Sequence, residues 1–149
     1  MELCILAIGK CRDKPILDLV GMYATRLKPY HTLRVEELTP KNTGKKPEAE
    51  ALLGRIPPQA AVIAMDERGK SLNTPQFAEK FQNWADQGIR QIYFIIGGAD
   101  GLDESVRQRA DLVLALSAMT FPHMLVRPIL AEQLYRAATL NAGHPYHRV

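Results

Sequence analysis

The sequence predicts an α/β fold, a layer sandwich built on a mostly parallel β-sheet. Short apolar runs, several rich in β-branched and aromatic residues, alternate with segments of helical periodicity along the chain. The runs are nearly continuous in apolar residues, which is typical of strands that helices cover on both faces of a sheet. The 149 residues contain no linker, repeat or low-complexity stretch. We therefore expect a single domain over residues 1–149.

The N-terminal part predicts two strands and two helices. An apolar run over 2–9 ends at a glycine and is interpreted as a strand, and apolar residues recur at helical spacing over 15–28. Apolar and polar residues alternate in the first part of 32–38, as they do in a strand. A polar loop then opens a helix in which Pro47 lies near the first position.

The central part predicts two further strands with a helix between them. The run over 60–67 has the composition of a buried strand, and the aromatic and β-branched run over 91–98 is also interpreted as a strand. Between these strands, Thr74 is expected to cap a helix whose first residue is Pro75 and which closes at Gly88.

The last third predicts a short helix, a fifth strand and a long C-terminal helix. The short helix runs through SVRQRA, and the strand covers 112–117. The long helix is expected to run from about Arg127 or Pro128 to Asn141. One stripe of this helix is expected to be core: Val126, Leu130, Leu134 and Ala138.

Composition limits the classes of protein that fit this chain. Hydrophobic residues make up 46% and charged residues 23%, as in an ordinary globular protein. No apolar run approaches the roughly 20 residues that cross a bilayer, so we expect a cytoplasmic protein without a membrane partner. The net charge of +3 permits nucleic acid as a partner without requiring it. Cys4 and Cys11 lack CxxC spacing; we expect no disulfide and interpret Cys4 as core.

Ligands of parallel α/β sheets bind at the carboxyl ends of the strands, which directs attention to three loops. The first loop follows MDE, and the second is GGADGL, where Gly97, Gly98 and Gly101 would let a cofactor approach the backbone. A turn without a ligand is the alternative interpretation of GGADGL.

The third loop, LSAMTFPH, combines hydrogen-bonding and apolar side chains. Ser117 and Thr120 can hydrogen-bond, and Met119 and Phe121 can pack on a flat ring. A buried connection to the last helix is the alternative for this loop.

Metal and thiol chemistry fit the sequence poorly. His144 and His147 are three residues apart, but Pro145 between them prevents a regular helix from aiming both rings at one ion. We therefore expect no metal. A thiol hydrolase would have to pair Cys11 with a distant histidine and remains a remote alternative.

The C-terminal HPYHR segment concentrates aromatic and titratable side chains where chain order is hard to maintain. Histidine can move a proton near neutral pH, and arginine can hold an anion. This combination suits a reaction in which a proton leaves a heterocycle and negative charge develops on its oxygens. Alternatively, Tyr146 packs on the domain while His144, His147 and Arg148 are solvated.

The run from IIGGADGL through LALSAMTFPHMLVRPILAEQLYRAATLNAGHPYHR resembles the RlmH family of SPOUT-class methyltransferases. The ordered glycine loop, LSxxTxPHxLxR, EQLYRA and terminal HPYHR carry this resemblance, which extends in outline over the whole chain. It implies an S-adenosylmethionine-dependent homodimer with a deep C-terminal trefoil knot. The implied reaction is methylation of N3 of a pseudouridine in 23S ribosomal RNA (the position-1915 type, in helix 69). The implied substrate is the large subunit or the 70S ribosome, and free RNA is expected to be a poorer substrate.

The resemblance implies two sets of site residues. The cofactor-binding residues would be Met65, Gly97, Gly98, Leu116, Ser117, Ala118, Met119, Thr120 and Phe121. Leucine is frequent at position 65 in such sequences, so Met65 is a departure, although one that conserves volume. The tail would lie over the cofactor region of the dimer, with Tyr146 positioning the base, His147 as base or proton relay, and Arg148 stabilising the anion. Alternatively, the charge of the cofactor lowers the barrier and the tail only orients the pseudouridine.

Several cationic and histidine residues are candidates for rRNA binding. We expect His123, Arg127 and His144 to contact rRNA; for the first two, fastening the loop is the alternative. Two basic clusters could contact phosphates or could be ordinary solvated loops: Lys10, Arg12, Lys14, and Lys41, Lys45, Lys46. Two rival functions remain open, a SPOUT methyltransferase acting on another RNA and a non-catalytic α/β module that binds a nucleotide or RNA.

Overall fold

Strands and helices alternate along the chain in the computed structural model, which describes residues 1–148. The strands are β1 (Glu2–Ile8), β2 (Thr32–Leu38), β3 (Ala61–Ser71), β4 (Gln91–Ile96) and β5 (Leu112–Ala115). The helices are α1 (Lys14–Leu27), α2 (Lys45–Gly54), α3 (Thr74–Asp86), α4 (Glu104–Arg109) and α5 (His123–Asn141). The strands form one sheet in the order β2-β1-β4-β3-β5, and all its pairings are parallel. The predicted α/β class is thereby confirmed.

Helices cover both faces of the sheet, as the apolar runs predict. On one face α1, α3 and α5 pack on the sheet around an aromatic group made by Phe77, Phe81 and Phe94. On the other face α2 and α4 pack through Leu52 and Val106, both essentially inaccessible. The predicted layer sandwich is therefore confirmed, and the trefoil knot stays a prediction.

The predicted apolar stripe of α5 is confirmed as core. Leu130 and Leu134 are fully buried, Ala138 is buried, and Val126 is partly buried against the same cluster. Fully burying a leucine side chain contributes about 2 kcal/mol, so the two leucines anchor α5 to the sheet. Since α5 begins beside the ends of the strands, this anchoring also positions its first turn.

Two predicted helix starts are wrong. The N-cap of α3 is Asn73 and not Thr74: Asn73 accepts from the Gln76 amide at 2.9 Å, and the Gln76 side chain accepts from the Asn73 amide at 2.9 Å. The long helix begins at His123 and not at Arg127 or Pro128. Its first turn precedes Pro128, so the proline lies inside the helix and removes one backbone donor without ending it.

Strand β3 is longer than predicted because it leaves the sheet and returns. Leu114 pairs with Met65 and again with Lys70, so residues 66–69 form an excursion between two contacts to one partner. Gly69 closes this excursion against β5: a Cβ atom at Gly69 would lie 2.6 Å from the Val113 carbonyl oxygen. Only glycine fits there without displacing β5.

Both cysteines are buried and free. Burial raises the pKa of Cys4 to about 11, so its thiol is inert, and its assignment to the core is confirmed. Within residues 1–148, no helix combines the length and apolar character needed to cross a membrane.

Candidate active site

The excursion of β3 and the loops after β4 and β5 meet in one cleft of about 590 Å³ at the carboxyl edge of the sheet. The structure thus brings together the three loops that strand order alone singles out. The lining includes every predicted cofactor residue except Ala118: Met65, Gly97, Gly98, Leu116, Ser117, Met119, Thr120 and Phe121. Ala118 lies in the same loop and is exposed.

The glycine loop turns back on itself and presents bare backbone to the cleft. The Gly101 amide donates to the Gly98 carbonyl at 3.0 Å, and Gly101 has a φ of 82°. A Cβ atom on Gly97 would lie 2.9 Å from the Gly101 oxygen, and one on Gly98 would lie 3.1 Å from Oε1 of Glu48. Packing therefore requires glycine at 97, a Cβ atom on Gly98 would displace the Glu48 side chain, and the main chain of both glycines forms part of the wall.

The loop over 116–122 is exposed at the mouth of the cleft. Met119 is 73% exposed and Phe121 is 36% exposed, so the alternative of a buried connection is wrong. The hydroxyl of Ser117 accepts from the Met119 amide at 3.0 Å, which shapes the turn. Thr120 donates its hydroxyl to Glu67, and this hydrogen bond joins the loop to the excursion of β3.

Size and lining fit S-adenosylmethionine. The volume lies within the range of about 300–1,000 Å³ that small-molecule sites occupy. Met65, Leu116 and Phe121 offer apolar surface for a flat ring, and the backbone at Gly97 and Gly98 permits close approach. The wall combines this apolar surface with hydroxyl, charged and backbone polar groups, which can fix the orientation of a ligand.

Charged residues also line the cleft; apart from Lys45, which was expected only as a possible phosphate contact, the sequence interpretation missed them. They are Lys45, Asp66, Glu67, Arg68 and Asp100. Burial alone would raise the pKa of Asp66, but hydrogen bonds from Arg68 and the charges of Arg68 and Arg107 together lower it. Asp66 is therefore a carboxylate at neutral pH. The signal that could have found Asp66 and Glu67 is their position directly after the apolar part of a strand.

Arg127 is fully enclosed rather than exposed to a partner. It is 2% exposed, donates to Glu37 at 2.5 Å and donates to the Gly9 carbonyl at 2.7 Å. Glu37 also accepts from the Cys11 amide at 2.7 Å. These contacts fasten the loop after β1 to α5, a different loop from the one between β5 and α5 that the alternative interpretation concerns, and direct rRNA contact by Arg127 stays a prediction. His123 lines the cleft, and its Nδ1 atom is buried without a hydrogen-bond partner in the described residues.

The C-terminal tail folds back on α5. Tyr146 donates to Oε1 of Glu132 at 3.1 Å, and its ring packs against Tyr135 with the centroids 4.7 Å apart. Arg136 lies over the same ring at 4.8 Å and donates to Nδ1 of His147 at 3.4 Å. Glu132 and Arg136, four residues apart on α5, form a half-buried ion pair that anchors the tail.

Within one protomer the tail and the cleft lie apart. None of the described tail residues lines the cleft, and Tyr146 contacts Glu132, which lies six residues, or about 9 Å, along α5 from Val126 in the cleft wall. His144 and Arg148 are exposed, whereas Tyr146 and His147 are half-buried. The solvated alternative therefore holds for His144 and Arg148 but not for His147.

Tyr146 is a neutral donor in this position. Burial, with the negative charge of Glu132 second, raises the pKa of Tyr146 to about 12. Among residues 1–148 there is no group of three His, Cys, Asp or Glu residues that could hold a metal ion.

Comparison with known proteins places these features in a family. The family model described as "Predicted SPOUT methyltransferase" matches residues 1–147. Proteins named "Ribosomal RNA large subunit methyltransferase H" are similar to this chain. The one from Rhodospirillum centenum is 49% identical over 151 residues, covering 99% of each chain. The one from Ruegeria pomeroyi is 45% identical over 158 residues, covering 100% of each.

Solved structures support the fold. A "probable methylase family protein" from Haemophilus influenzae Rd KW20 matches with a TM-score of 0.57 at 13% identity, covering 99% of this chain and 70% of that one. The SpoU methyltransferase AviRb from Streptomyces viridochromogenes matches with a TM-score of 0.52 at 12% identity, covering 95% of this chain and 61% of that one. Fold, full-length family match and close relatives agree: the chain belongs to the SPOUT methyltransferases, in the RlmH family that its sequence resembles.

Proposed function

We propose that this protein is an S-adenosylmethionine-dependent methyltransferase that modifies N3 of a pseudouridine in helix 69 of 23S ribosomal RNA. The observation that carries the proposal is the single cleft in which the three predicted cofactor loops meet. The names of its relatives, large-subunit rRNA methyltransferases, support the substrate class. The HPYHR ending supports the pseudouridine target through the resemblance.

The cleft residues hold and orient the cofactor in this proposal. When bound, S-adenosylmethionine supplies an electrophilic methyl group on a sulfonium centre. Met65, Leu116 and Phe121 would hold its adenosine part, and the main chain at Gly97 and Gly98 would permit close approach. The fixed walls reduce the orientational freedom that the reacting groups must otherwise lose.

The tail removes the proton of the target base and stabilises the negative charge that develops on it. The imide N–H at N3 must lose its proton before or as the nitrogen attacks, and negative charge then spreads to the neighbouring oxygens. His147 takes or relays the proton, Arg148 stabilises the anion, and Tyr146 donates a hydrogen bond to position the base. In the docked tail Nδ1 of His147 accepts from Arg136. The imidazole can take a proton there only after this contact opens, so the docked tail is a resting arrangement.

A homodimer completes the proposed site. A tail that rests on α5 of its own protomer contacts Glu132, about 9 Å along the helix from Val126 in that protomer's cleft wall. Large apolar residues remain exposed on α1 and α5, two helices that pack side by side: Leu17, Leu19, Met22, Leu125 and Ile129. We assign this surface to a second copy of the chain, which brings one protomer's tail to the other's cleft.

The rRNA meets the basic loops beside the cleft. Lys10 and Arg12 follow β1, and Lys41, Lys45 and Lys46 follow β2, at the same edge of the sheet as the cleft. The Gly9 amide donates to the Leu38 carbonyl at 2.8 Å, which ties the two loops together. Lys45 itself lines the cleft. Phosphate binding by these cations predicts methylation that weakens as salt increases.

Two assays test the proposal. Calorimetric titration with S-adenosylmethionine should show one site per chain, lost in Gly98→Val, where the side chain would collide with Glu48, and kept in Gly54→Ala, where nothing lies within 4 Å. Transfer of a tritiated methyl group should be greater to unmodified 70S ribosomes than to free 23S rRNA. Absence of cofactor binding would remove the methyltransferase assignment. Cofactor binding with methyl transfer only to another RNA would contradict the assignment of 23S rRNA as the substrate.

A further inference from the structure

Arg107 connects two of the three loops that form the cleft, although it does not line the cleft itself. Its Nη1 atom donates to Oδ2 of Asp66 at 3.1 Å and to the Leu102 carbonyl at 2.9 Å. Asp66 begins the excursion of β3, and Leu102 closes the glycine loop after β4. One guanidinium nitrogen therefore joins the two loops.

Further hydrogen bonds hold this guanidinium in place. Its Nε and Nη2 atoms donate to Oε2 of Glu104 at 2.9 and 2.7 Å, which orients the planar group. The side chains of Arg107 and Asp66 are 20% and 8% exposed, whereas Arg68, the other cation on Asp66, is 66% exposed. Arg107 is thus the enclosed partner of Asp66. Enclosed charge-assisted hydrogen bonds are stronger than exposed ones.

The contact lies where the sheet no longer holds the loops together. The ladder between β3 and β4 ends at the pair Ala64 and Ile95. Beyond that pair the segments that follow in β3 and after β4 separate. The cleft opens between them and is lined by Met65 and Gly97. Arg107 connects the two separated segments through its hydrogen bonds to Asp66 and to the Leu102 carbonyl.

We propose that Arg107 is a positioning residue for the methyl donor: by joining Asp66 to the Leu102 carbonyl it fixes the width of the cleft. This inference rests on the proposed function, since it assumes that the cleft binds S-adenosylmethionine. A positioning role of this kind acts on binding of the donor and leaves the methyl-transfer step itself largely unchanged.

Arg109 provides a matched control on the same helix. Its Nη2 atom donates to the carbonyls of Ala60 at 3.1 Å and Pro58 at 3.5 Å, which lie at the amino end of β3. Both arginines therefore fix backbone carbonyls from α4, but only Arg107 reaches the cleft loops. Arg109→Met therefore removes carbonyl contacts made from the same helix but distant from the cleft, whereas Arg107→Met also removes ion pairs with Asp66 and Glu104.

The test measures donor affinity, kinetics and loop protection in the full-length protein. Arg107→Met should weaken S-adenosylmethionine binding about tenfold and raise the KM for the donor similarly, with kcat within about twofold of wild type. Arg107→Lys should recover part of the affinity, since an ammonium group can reach one or both acceptors without the fork. Hydrogen exchange of amides 97–102 should be faster in Arg107→Met. Arg109→Met should match wild type in all three measurements.

Each other outcome is decisive. Wild-type affinity and wild-type amide exchange in Arg107→Met would overturn the inference. Equal losses of affinity in the Arg107 and Arg109 variants would also overturn it, because the effect would then be a general loss of stability. If the wild-type protein binds no S-adenosylmethionine, the proposed function fails, and amide exchange alone decides whether Arg107 fixes the loops.

Discussion

Tyr146 donates a hydrogen bond of 3.1 Å to Oε1 of Glu132, the same oxygen that accepts from Nε of Arg136 at 2.8 Å. One half-buried carboxylate thus holds both a tail residue and the cation that lies over its ring. Since the carboxylate accepts from the neutral phenol, burial and charge together keep Tyr146 protonated. The tail therefore has a defined resting place on α5, away from the cleft of its own protomer.

A first prediction concerns which protomer's tail acts in which cleft. A chain truncated after Gly143 lacks the tail, and Gly98→Val should displace the glycine loop that lines the cleft, since its side chain would collide with Glu48. Each variant alone should be inactive. Heterodimers of the two, purified with two different tags, should show about half of the wild-type activity per dimer, because one of two sites joins an intact cleft to the partner's tail.

The control for this experiment is cofactor binding by the heterodimer. The truncated protomer keeps its cleft, so one equivalent of S-adenosylmethionine per heterodimer is expected. Heterodimers that bind this equivalent but transfer no methyl group would contradict action of the tail across the dimer.

A second prediction concerns Arg127. Replacement by methionine should destabilise the protein by about 3 kcal/mol, since Glu37 loses its buried counter-charge and the Gly9 carbonyl loses its donor. Urea unfolding measures this loss. Arg127→Lys should lose less because it keeps the charge. A Met variant as stable as wild type that nevertheless fails to methylate ribosomes would instead favour direct rRNA contact.

A third prediction concerns the excursion of β3. Gly69→Ala should destabilise the protein by about 2 kcal/mol and weaken cofactor binding, because the new methyl group would collide with the Val113 carbonyl. Gly54→Ala, at the end of α2 with nothing within 4 Å, should leave both properties near wild type. Thermal unfolding and calorimetric titration measure the two effects. An unchanged Gly69→Ala protein would show that β3 and β5 do not pack so closely.

A fourth prediction concerns pH and His31. Burial, with the adjacent α-ammonium of Met1 second, lowers the pKa of His31 to about 4. Between pH 6.5 and 4 the unfolded chain binds a proton that the folded chain does not, so stability falls as pH falls through this window. His31 is partly exposed, so we expect its contribution to be about 1 to 2 kcal/mol.

His31→Gln removes this dependence and keeps an acceptor for the α-ammonium. Its free energy of unfolding, measured in urea at pH 7 and at pH 4.5, should therefore decline less than that of wild type. Equal declines in the two proteins would show that His31 is protonated in the folded state.

Local sequence patterns were sufficient to predict the strands of the sheet and the helices that cover it. Residues such as Ile5 and Phe94 belong to apolar runs whose length and composition are those of buried strands, and both are fully buried. The meeting of the three loops that we propose for the cofactor was also predictable, because the carboxyl ends of parallel strands share one edge. The start of α3 was missed by one residue, because Asn73 and Thr74 are both good caps and only the reciprocal bonds with Gln76 decide between them.

Long-range contacts account for what the sequence could not predict. Spacing identifies Glu132 and Arg136 as a helical pair but does not reveal that Tyr146 folds back over them. Likewise, two arginines on α4 look alike in sequence, and only the fold shows that Arg107 faces the glycine loop. The double pairing of Leu114 is also invisible locally, because it depends on how β3 returns to β5.

The measurement that tests the central claim most directly is mass spectrometry of nucleosides from ribosomes that lack the modification. These ribosomes are incubated with S-adenosylmethionine and either the intact chain or the chain truncated after Gly143. We predict N3-methylpseudouridine with the intact chain and none with the truncated one. An intact chain that binds the cofactor yet yields no methylated pseudouridine would contradict the account.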